Sequence, residues 1–138
     1  MMAVSELGGA GSVSKIDCVA HVVGRGDVKV SLYRHLAPLT VNAIMRNLPI
    51  ESRVNAQSAM ACLFTTIRVG VEKSRSDFTR GDVAFMASGG LLCYFLKSAK
   101  SDRPLNPVGK VESGLEILDA LGPGSVIRFS QGPPVAQP

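Results

Sequence analysis

The stretch GDVAFMASGGLLCYFLKSAKSDRPLNPVGKVESGLEIL, residues 81–118, decides the fold because it predicts three strands and a helix in a fixed order. Residues 82–87 and 91–97 are apolar runs, and the Ser-Gly-Gly between them is typical of a tight turn that joins two strands. The polar residues at 98–106 predict a loop, and residues 107–112 predict a third strand. A short amphipathic helix is predicted to follow.

Two glycines give this stretch an unusual feature. Gly109 lies inside the third predicted strand, where glycine normally weakens pairing. Gly114 lies where the helix begins. A small barrel has a crowded interior and sharply coiled strands, and glycine permits close approach and bending there. We therefore interpret both glycines as architectural, and no GxGxxG or Walker sequence accompanies them to indicate phosphate binding.

The residues upstream predict a hairpin and then a helix. Residues 15–23 and 27–33 alternate between apolar and polar side chains about a Gly-Arg-Gly turn, as in a β-hairpin. A helix is predicted from Pro38, a natural first-turn residue, to the position before Pro49. Its apolar stripe consists of Val41, Ile44, Met45 and Leu48.

Further short strands are predicted at residues 51–57, 59–67 and 125–130. The charged segment 68–81 loses the alternation, and we predict there an excursion with one brief strand near residues 69–71. We interpret its charges as a solvated face rather than a lid. About eight short strands with two helices predict a mainly β protein with a closed or nearly closed barrel.

The composition fits one compact domain. The chain has 138 residues, of which 46% are hydrophobic, and this is enough for a sizeable core. We predict a single domain at residues 15–130 between a flexible N-terminus at 1–14 and a flexible tail at 131–138. No apolar stretch approaches the ~20 residues that a membrane span needs, and no signal-peptide pattern is present. We therefore expect a cytoplasmic protein.

Charge and cysteine usage argue against several classes of function. The net charge of +4 is spread along the chain, and aromatic residues make up only 5%, so base-stacking surfaces for nucleic acid are scarce. Cys18, Cys62 and Cys93 are widely separated, and each lies in an apolar run. Without CxxC spacing they indicate neither a zinc site nor a disulfide framework, and we interpret them as small core side chains. We expect no metal and no cofactor, and the oligomeric state stays open.

Several short motifs, in this order, resemble the cyclophilins. They are the Ala-Pro-Leu-Thr-Val-Asn start of the first helix, a strand that ends in Met-Ala, paired aromatics, a Ser-Ala-Lys turn, a Val-Gly-Lys-Val strand and a glycine that opens the second helix. The matching residues are Ala37, Pro38, Thr40, Val41, Asn42, Gly81 to Ala87, Tyr94, Phe95, Ser98 to Lys100, Val108 to Val111 and Gly114. The chain most resembles a small prokaryotic cyclophilin-like family of unknown function, over about residues 15–130.

The resemblance implies a closed cyclophilin-like barrel of about eight strands capped by two short helices. Cyclophilins are peptidyl-prolyl isomerases, so the resemblance also implies this activity. In that family an arginine donates toward the proline nitrogen beside an apolar pocket for the proline ring. Arg53 is the nearest arginine in this chain and is our candidate catalytic residue. Phe95 matches the pocket phenylalanine, and Cys93 falls where the family usually has glutamine. The family's Phe-His-Arg strand and its tryptophan have no counterpart here.

The first of three open functions is a binding module that uses the outer groove of the barrel. Apolar contact would come from Phe64, Met86 and Phe95, while Arg53 or Gln57 would anchor the carboxylate or carbonyl of a small ligand or peptide. The candidate ligand-binding residues are Gln57, Phe64, Met86, Cys93 and Phe95.

Two enzymatic alternatives accompany this binding module. One is a weak or divergent peptidyl-prolyl isomerase with Arg53 as the donor. The other is a subunit or enzyme of an amide-hydrolysing system, because other domains with this barrel serve in such complexes. His21 and His35 are the only histidines, and we interpret them as strand-face and loop residues rather than general bases.

Overall fold

The computed structural model describes residues 14–56, 59–122 and 124–132, and within them lie nine strands and two helices. The strands are β1 (Lys15–Val22), β2 (Gly26–Tyr33), β3 (Ile50–Ala56), β4 (Met60–Phe64), β5 (Arg75–Phe78), β6 (Asp82–Met86), β7 (Leu91–Phe95), β8 (Ala99–Ser113) and β9 (Val126–Gln131). The helices are α1 (Pro38–Arg46) and α2 (Leu115–Asp119). The predicted tails outside residues 14–132, and Gln57, lie outside the described residues.

Eight of the strands close into a ring of antiparallel pairs in the order β2-β1-β9-β3-β4-β7-β6-β8, and β8 pairs back onto β2. The ninth strand, β5, lies outside this ring and pairs with β8. The mainly β fold, a closed barrel of about eight strands with two short helices, is therefore confirmed.

The barrel interior is filled by the residues whose alternation predicted the strands. In the β1–β2 hairpin, the side chains that belong to the interior core are those of Ile16, Cys18, Ala20, Val22, Val28, Val30 and Leu32. The largest interior side chains are the aromatic rings of Phe85, Tyr94 and Phe129. The rings of Tyr94 and Phe129 meet edge to face with their centroids 6.3 Å apart, a favoured aromatic geometry.

A carboxylate from the charged segment caps the first helix. Helix α1 begins at Pro38 without a side-chain cap of its own, and Glu72 accepts hydrogen bonds from the backbone N–H groups of Leu39 and Thr40 at 3.0 and 2.9 Å. The hydroxyl of Thr40 donates to the same carboxylate at 2.8 Å. Asn106 on β8 accepts from the backbone N–H of Glu72 at 2.9 Å and donates to the Thr40 hydroxyl at 3.0 Å. The excursion is therefore tied to both α1 and β8.

Two of the predicted elements are wrong. Residues 69–71 form no strand, and the brief strand of the excursion is β5, nearer its end. Residues 98–106 are not a loop, because β8 begins at Ala99 and continues to Ser113. The first part of β8 lies outside the ring, along the outer face of the barrel, and its polar side chains are largely exposed. It therefore lacks the buried face that produces a readable alternation.

Gly109 and Gly114 have the architectural roles that the sequence predicted. Gly109 lies opposite Leu32 on β2 and Val83 on β6. A Cβ on Gly109 would overlap the carbonyl oxygen of Ser31, and it would lie 3.0 Å from Cα of Leu32. Gly114 has φ of 95°, which favours glycine, and a Cβ there would lie 3.0 Å from Cα of Val28. Both glycines allow the β8–α2 segment to lie directly against β2.

The first prediction concerns closure of the barrel. Gly109→Ala should lower the free energy of unfolding by about 3 kcal/mol or more, because the backbone of β2 must move away from the added methyl group. Gly70→Ala is the matched control, since a Cβ at Gly70 meets nothing within 4 Å and should change stability by less than about 1 kcal/mol. Denaturant unfolding measures both. Equal stability of the two variants would contradict this account of closure.

The second prediction concerns pH. Burial raises the pKa of Glu72, but hydrogen bonds from Leu39 and Thr40 outweigh it and hold that pKa below its ordinary value. A lowered pKa in the folded state stabilises the fold above the unfolded pKa of about 4.3, and the effect disappears as the pH falls through the folded value.

Glu72→Gln should therefore cost about 1 kcal/mol near pH 7 and progressively less below about pH 4. Denaturant unfolding at several pH values measures this difference. The exposed Glu116 provides the control, because Glu116→Gln should give a smaller difference. A cost for Glu72→Gln that stays constant down to about pH 3 would exclude a charged cap.

Candidate functional site

A cavity of about 300 Å³ opens on the outer face of the barrel, beside β4, β6, β7 and the start of β8. We call it the outer groove. It is lined by Ala59, Met60, Met86, Phe95, Ala99, Lys100, Ser101, Asp102 and Arg103. Its floor is apolar, and its rim is polar and charged.

The floor belongs to an apolar cluster that is separate from the barrel interior. Phe78, Ala84, Phe95 and Leu105 are its buried members. Met60 is opposite Phe95 in the β4–β7 register, and it packs against this cluster together with Met86 and Ala99. Because neighbouring residues of a strand point to opposite faces, Phe95 points outward while its neighbour Tyr94 fills the interior.

β5 supports the floor from the other side. The ring of Phe78 stacks on the ring of Phe95 with centroids 4.6 Å apart and planes inclined by 13°. The guanidinium of Arg75 lies 5.0 Å from the centroid of the Phe78 ring, within the range of a cation–π contact. Arg75 also lies 3.6 Å from the buried carboxylate of Asp82. Part of the charged excursion thus holds the groove phenylalanine in place.

The rim is formed by the first residues of β8. Lys100, Asp102 and Arg103 are exposed there, so two cationic side chains accompany one carboxylate. Arg103 donates a hydrogen bond of 3.4 Å to the hydroxyl of Ser88, in the turn between β6 and β7. This contact connects the start of β8 to the barrel beside the groove. An apolar floor below a cationic rim suits a ligand with an apolar part and a carboxylate.

Comparisons with known proteins agree with the barrel fold. The sequence model of a family described as Cyclophilin-like matches residues 18–130. The chain belongs to the cyclophilin-like family. The resemblance found in the sequence motifs is therefore confirmed, while a search of curated proteins gives no match.

Two solved structures share the cyclophilin-like barrel. The hypothetical protein AF2241 from Archaeoglobus fulgidus is 24% identical with a TM-score of 0.75, and the match covers 86% of this chain and 96% of that protein. The structure of McbB in complex with tryptophan is 15% identical with a TM-score of 0.72, and the match covers 88% of this chain and 46% of that one. At these identities the likeness shows the fold alone.

The barrel brings some of the predicted site residues together and separates others. Met86 and Phe95 both line the outer groove. Cys93 is fully buried and does not line it. Phe64 is 56% exposed and lies beside a different cavity of about 300 Å³, which also includes Pro49. Gln57 cannot be placed, because it lies outside the described residues.

The candidate catalytic arginine lies away from the outer groove. Arg53 is exposed on β3, where it is opposite Val126 of β9. The next residue on β3 is opposite Leu63, so Arg53 lies toward the end of β4 that carries Phe64. Phe95 is opposite Met60, at the other end of β4. Arg53 and the groove phenylalanine are therefore separated by the length of one strand.

Seven of the nine groove-lining residues were not among the predicted site residues, namely Ala59, Met60 and the five residues from Ala99 to Arg103. Met60 lies within a predicted strand, and its signal is its position two and four residues from Cys62 and Phe64 on the same strand face. Ala99, Lys100 and Arg103 lie in the segment that was predicted to be a loop. The Ser-Ala-Lys motif marked their position in the chain, but not that this segment forms one wall of the groove.

Neither histidine lies at the groove, and both have polar partners. His21 is exposed on β1, and its Nδ1 lies 2.6 Å from the carboxylate of Asp27. His35 is exposed, and its Nδ1 lies 3.2 Å from the hydroxyl of Ser14. Within residues 14–56, 59–122 and 124–132, no group of three His, Cys, Asp or Glu residues could hold a metal ion. No helix in that part of the chain is long and apolar enough to span a membrane.

The third prediction separates the floor of the groove from the exposed phenylalanine. Phe95→Leu should lower the free energy of unfolding by about 1.5 kcal/mol, because it removes the ring stacked on Phe78. Phe64→Leu is the matched control, and it should change stability by less than about 0.5 kcal/mol. Thermal and denaturant unfolding measure both variants. An equal effect of the two substitutions would contradict a buried floor.

Proposed function

We propose that this protein is a binding module whose outer groove takes a small ligand, or the C-terminal residue of a peptide, with an apolar side chain and a carboxylate. The observation that carries this proposal is the juxtaposition of Phe95 and Met86 on the floor with Lys100 and Arg103 on the rim. A volume of about 300 Å³ suits one large side chain rather than an extended cofactor.

The rim cations supply orientation as well as attraction. An arginine guanidinium is planar and always charged, and it can donate two parallel hydrogen bonds to one carboxylate. Arg103 is exposed, and its guanidinium makes a long 3.4 Å contact to the hydroxyl of Ser88, so a ligand carboxylate can replace that contact at small cost. Lys100 adds a second positive charge on the same wall. The ligand's apolar part would then lie against the sulfur and ring atoms of the floor.

The solved complex of McbB with tryptophan guides the choice of the first probe. McbB has a similar fold, and tryptophan combines a large aromatic ring with a carboxylate. N-acetyl-tryptophan keeps both features, resembles the end of a peptide and removes the amine charge. We also propose, as the sequence suggests, that binding takes place in the cytoplasm.

A divergent peptidyl-prolyl isomerase is the second candidate, because the groove keeps the apolar phenylalanine of that reaction. The isomerase requires an arginine donor next to this pocket. Arg53 lies at the far end of β4, whereas Arg103 lines the groove itself. We therefore rank isomerisation second, after ligand binding. The amide-hydrolysing alternative ranks third, because Ser101 lines the groove without a histidine beside it in the groove lining.

The fourth prediction tests the proposed ligand. N-acetyl-tryptophan should bind the folded protein, and Arg103→Gln should weaken this binding about tenfold, since one charge-assisted hydrogen bond is worth about 1.5–3 kcal/mol. Lys97→Gln is the matched control, because Lys97 is an exposed cation outside the groove and its loss should leave affinity within about twofold. Isothermal titration calorimetry measures each affinity.

Two further measurements separate the candidate functions. N-acetyl-tryptophanamide lacks the carboxylate, so it should bind more weakly and should not respond to Arg103→Gln. Equal affinity for the acid and the amide would overturn the carboxylate site. Accelerated cis/trans exchange of a short Ala-Pro peptide, abolished by Arg53→Ala and unaffected by Arg103→Gln, would instead establish the isomerase.

A further inference from the structure

Two buried thiols face each other across neighbouring strands. Cys62 on β4 is directly opposite Cys93 on β7, although the two residues are 31 positions apart in the chain. Their sulfur atoms are 3.0 Å apart, and the residues are 1% and 0% exposed. Both are free thiols. Core packing explains why each side chain is small and apolar, but not why the two sulfurs meet.

The thiol pair lies on the outer face of the barrel, one step from the outer groove. Leu63 and Leu92, the neighbours of the two cysteines, point into the barrel interior. The cysteines therefore point outward. The next outward pair on the same two strands is Met60 and Phe95, which line the groove floor. A change in the spacing between β4 and β7 at the two thiols would therefore also shift Met60 and Phe95 in the groove floor.

We propose that Cys62 and Cys93 form a reversible disulfide, with hydrogen peroxide as the oxidant and a small thiol as the reductant. In the first step the sulfur of Cys62 attacks one peroxide oxygen, the O–O bond breaks, and Cys62 becomes a sulfenic acid while water leaves. In the second step the sulfur of Cys93 attacks the sulfur of Cys62. The S–S bond forms, the S–O bond breaks, and the departing hydroxide takes the proton of Cys93 to give a second water. Two thiols are oxidised and one hydrogen peroxide is reduced.

The surroundings of the two sulfurs favour this order of steps. The hydrogen bond between the two thiols lowers the pKa of Cys62, although burial acts in the opposite direction. The hydrogen bond with Cys62 and burial both raise the pKa of Cys93. Cys62 is thus the better nucleophile, since the thiolate is the reactive form. The third thiol, Cys18, lies in the barrel interior, where burial and then the nearby Asp17 raise its pKa to about 12.

The sheet geometry makes such a disulfide both possible and reducible. Directly opposite residues of antiparallel strands have Cα atoms about 4.5–5.5 Å apart, within the usual disulfide range of about 4.4–6.8 Å. Their Cβ atoms are about 4.5–5.5 Å apart, whereas a disulfide prefers about 3.8 Å. Bond formation must therefore draw β4 and β7 together locally. Strained disulfides are the readily reduced ones, which fits a reversible modification rather than a structural bridge.

The fifth prediction concerns the number of free thiols that remain after oxidation. Exposure of the folded protein to hydrogen peroxide should reduce the alkylatable cysteines from 3 to one, with a mass loss of two hydrogens. Peptide mapping should link Cys62 to Cys93, and dithiothreitol should restore all three thiols. Alkylation is carried out after rapid unfolding, so that buried thiols are also counted. Formation of this disulfide does not depend on the ligand proposed above.

Two variants serve as controls. Cys18→Ala should still lose two thiols on oxidation, because the pair is intact. Cys93→Ser keeps a hydroxyl that can hydrogen-bond to Cys62, so it should lose no thiol to an intramolecular disulfide, and Cys62 should instead react with a sulfenic-acid reagent. Circular dichroism checks that each variant is folded. Three free thiols in the oxidised wild-type protein, or a disulfide that includes Cys18, would overturn the proposal.

Discussion

Closure of the barrel depends on the contact between β8 and β2, where two backbones approach more closely than a side chain would allow. Gly109 is paired on both sides, with Leu32 of β2 and Val83 of β6, and the carbonyl of Ser31 occupies the place of a Cβ. A side chain there would separate the strands and leave two exposed sheet edges, which are open to pairing with other chains. This contact completes the ring of strand pairs.

The same strand that closes the barrel also forms one wall of the groove. From residue 106 onward β8 is part of the ring, and residues 99–105 extend from it alongside the outer face. β5 pairs with this extension and places Phe78 against Phe95. The groove is therefore not a separate loop structure. It is a consequence of one continuous strand whose first residues form the groove wall before the strand enters the ring, and this couples the geometry of the site to the closure of the ring.

The elements that could be predicted from the sequence are those in which one side of a strand or helix is buried. Alternating apolar residues gave the ring strands, and the unusual positions of Gly109 and Gly114 gave the close contacts of β8 and α2. The start of β8 was missed because most of its side chains are exposed, so no alternation marks it. The distance of Arg53 from Phe95 was also out of reach, because it depends on register between strands rather than on any local pattern. Register likewise brings together two cysteines that are far apart in sequence.

The outer face of β4, β6 and β7 carries several apolar side chains that do not contribute to the barrel interior. Met60, Cys62, Met86, Cys93 and Phe95 all lie on it, and two of them are cysteines that are almost completely buried. Such a face is stable only where something covers it, and the start of β8 together with β5 provides most of that cover. β5 and the start of β8 leave Met60 and Met86 partly uncovered. The outer groove lies above these two residues, with Lys100 and Arg103 on its rim. If these residues served packing alone, a few larger side chains on β8 would fill the space, whereas β8 carries a small alanine and charged residues at this point. An apolar floor below Lys100 and Arg103 therefore supports our proposal of a carboxylate ligand rather than incomplete packing.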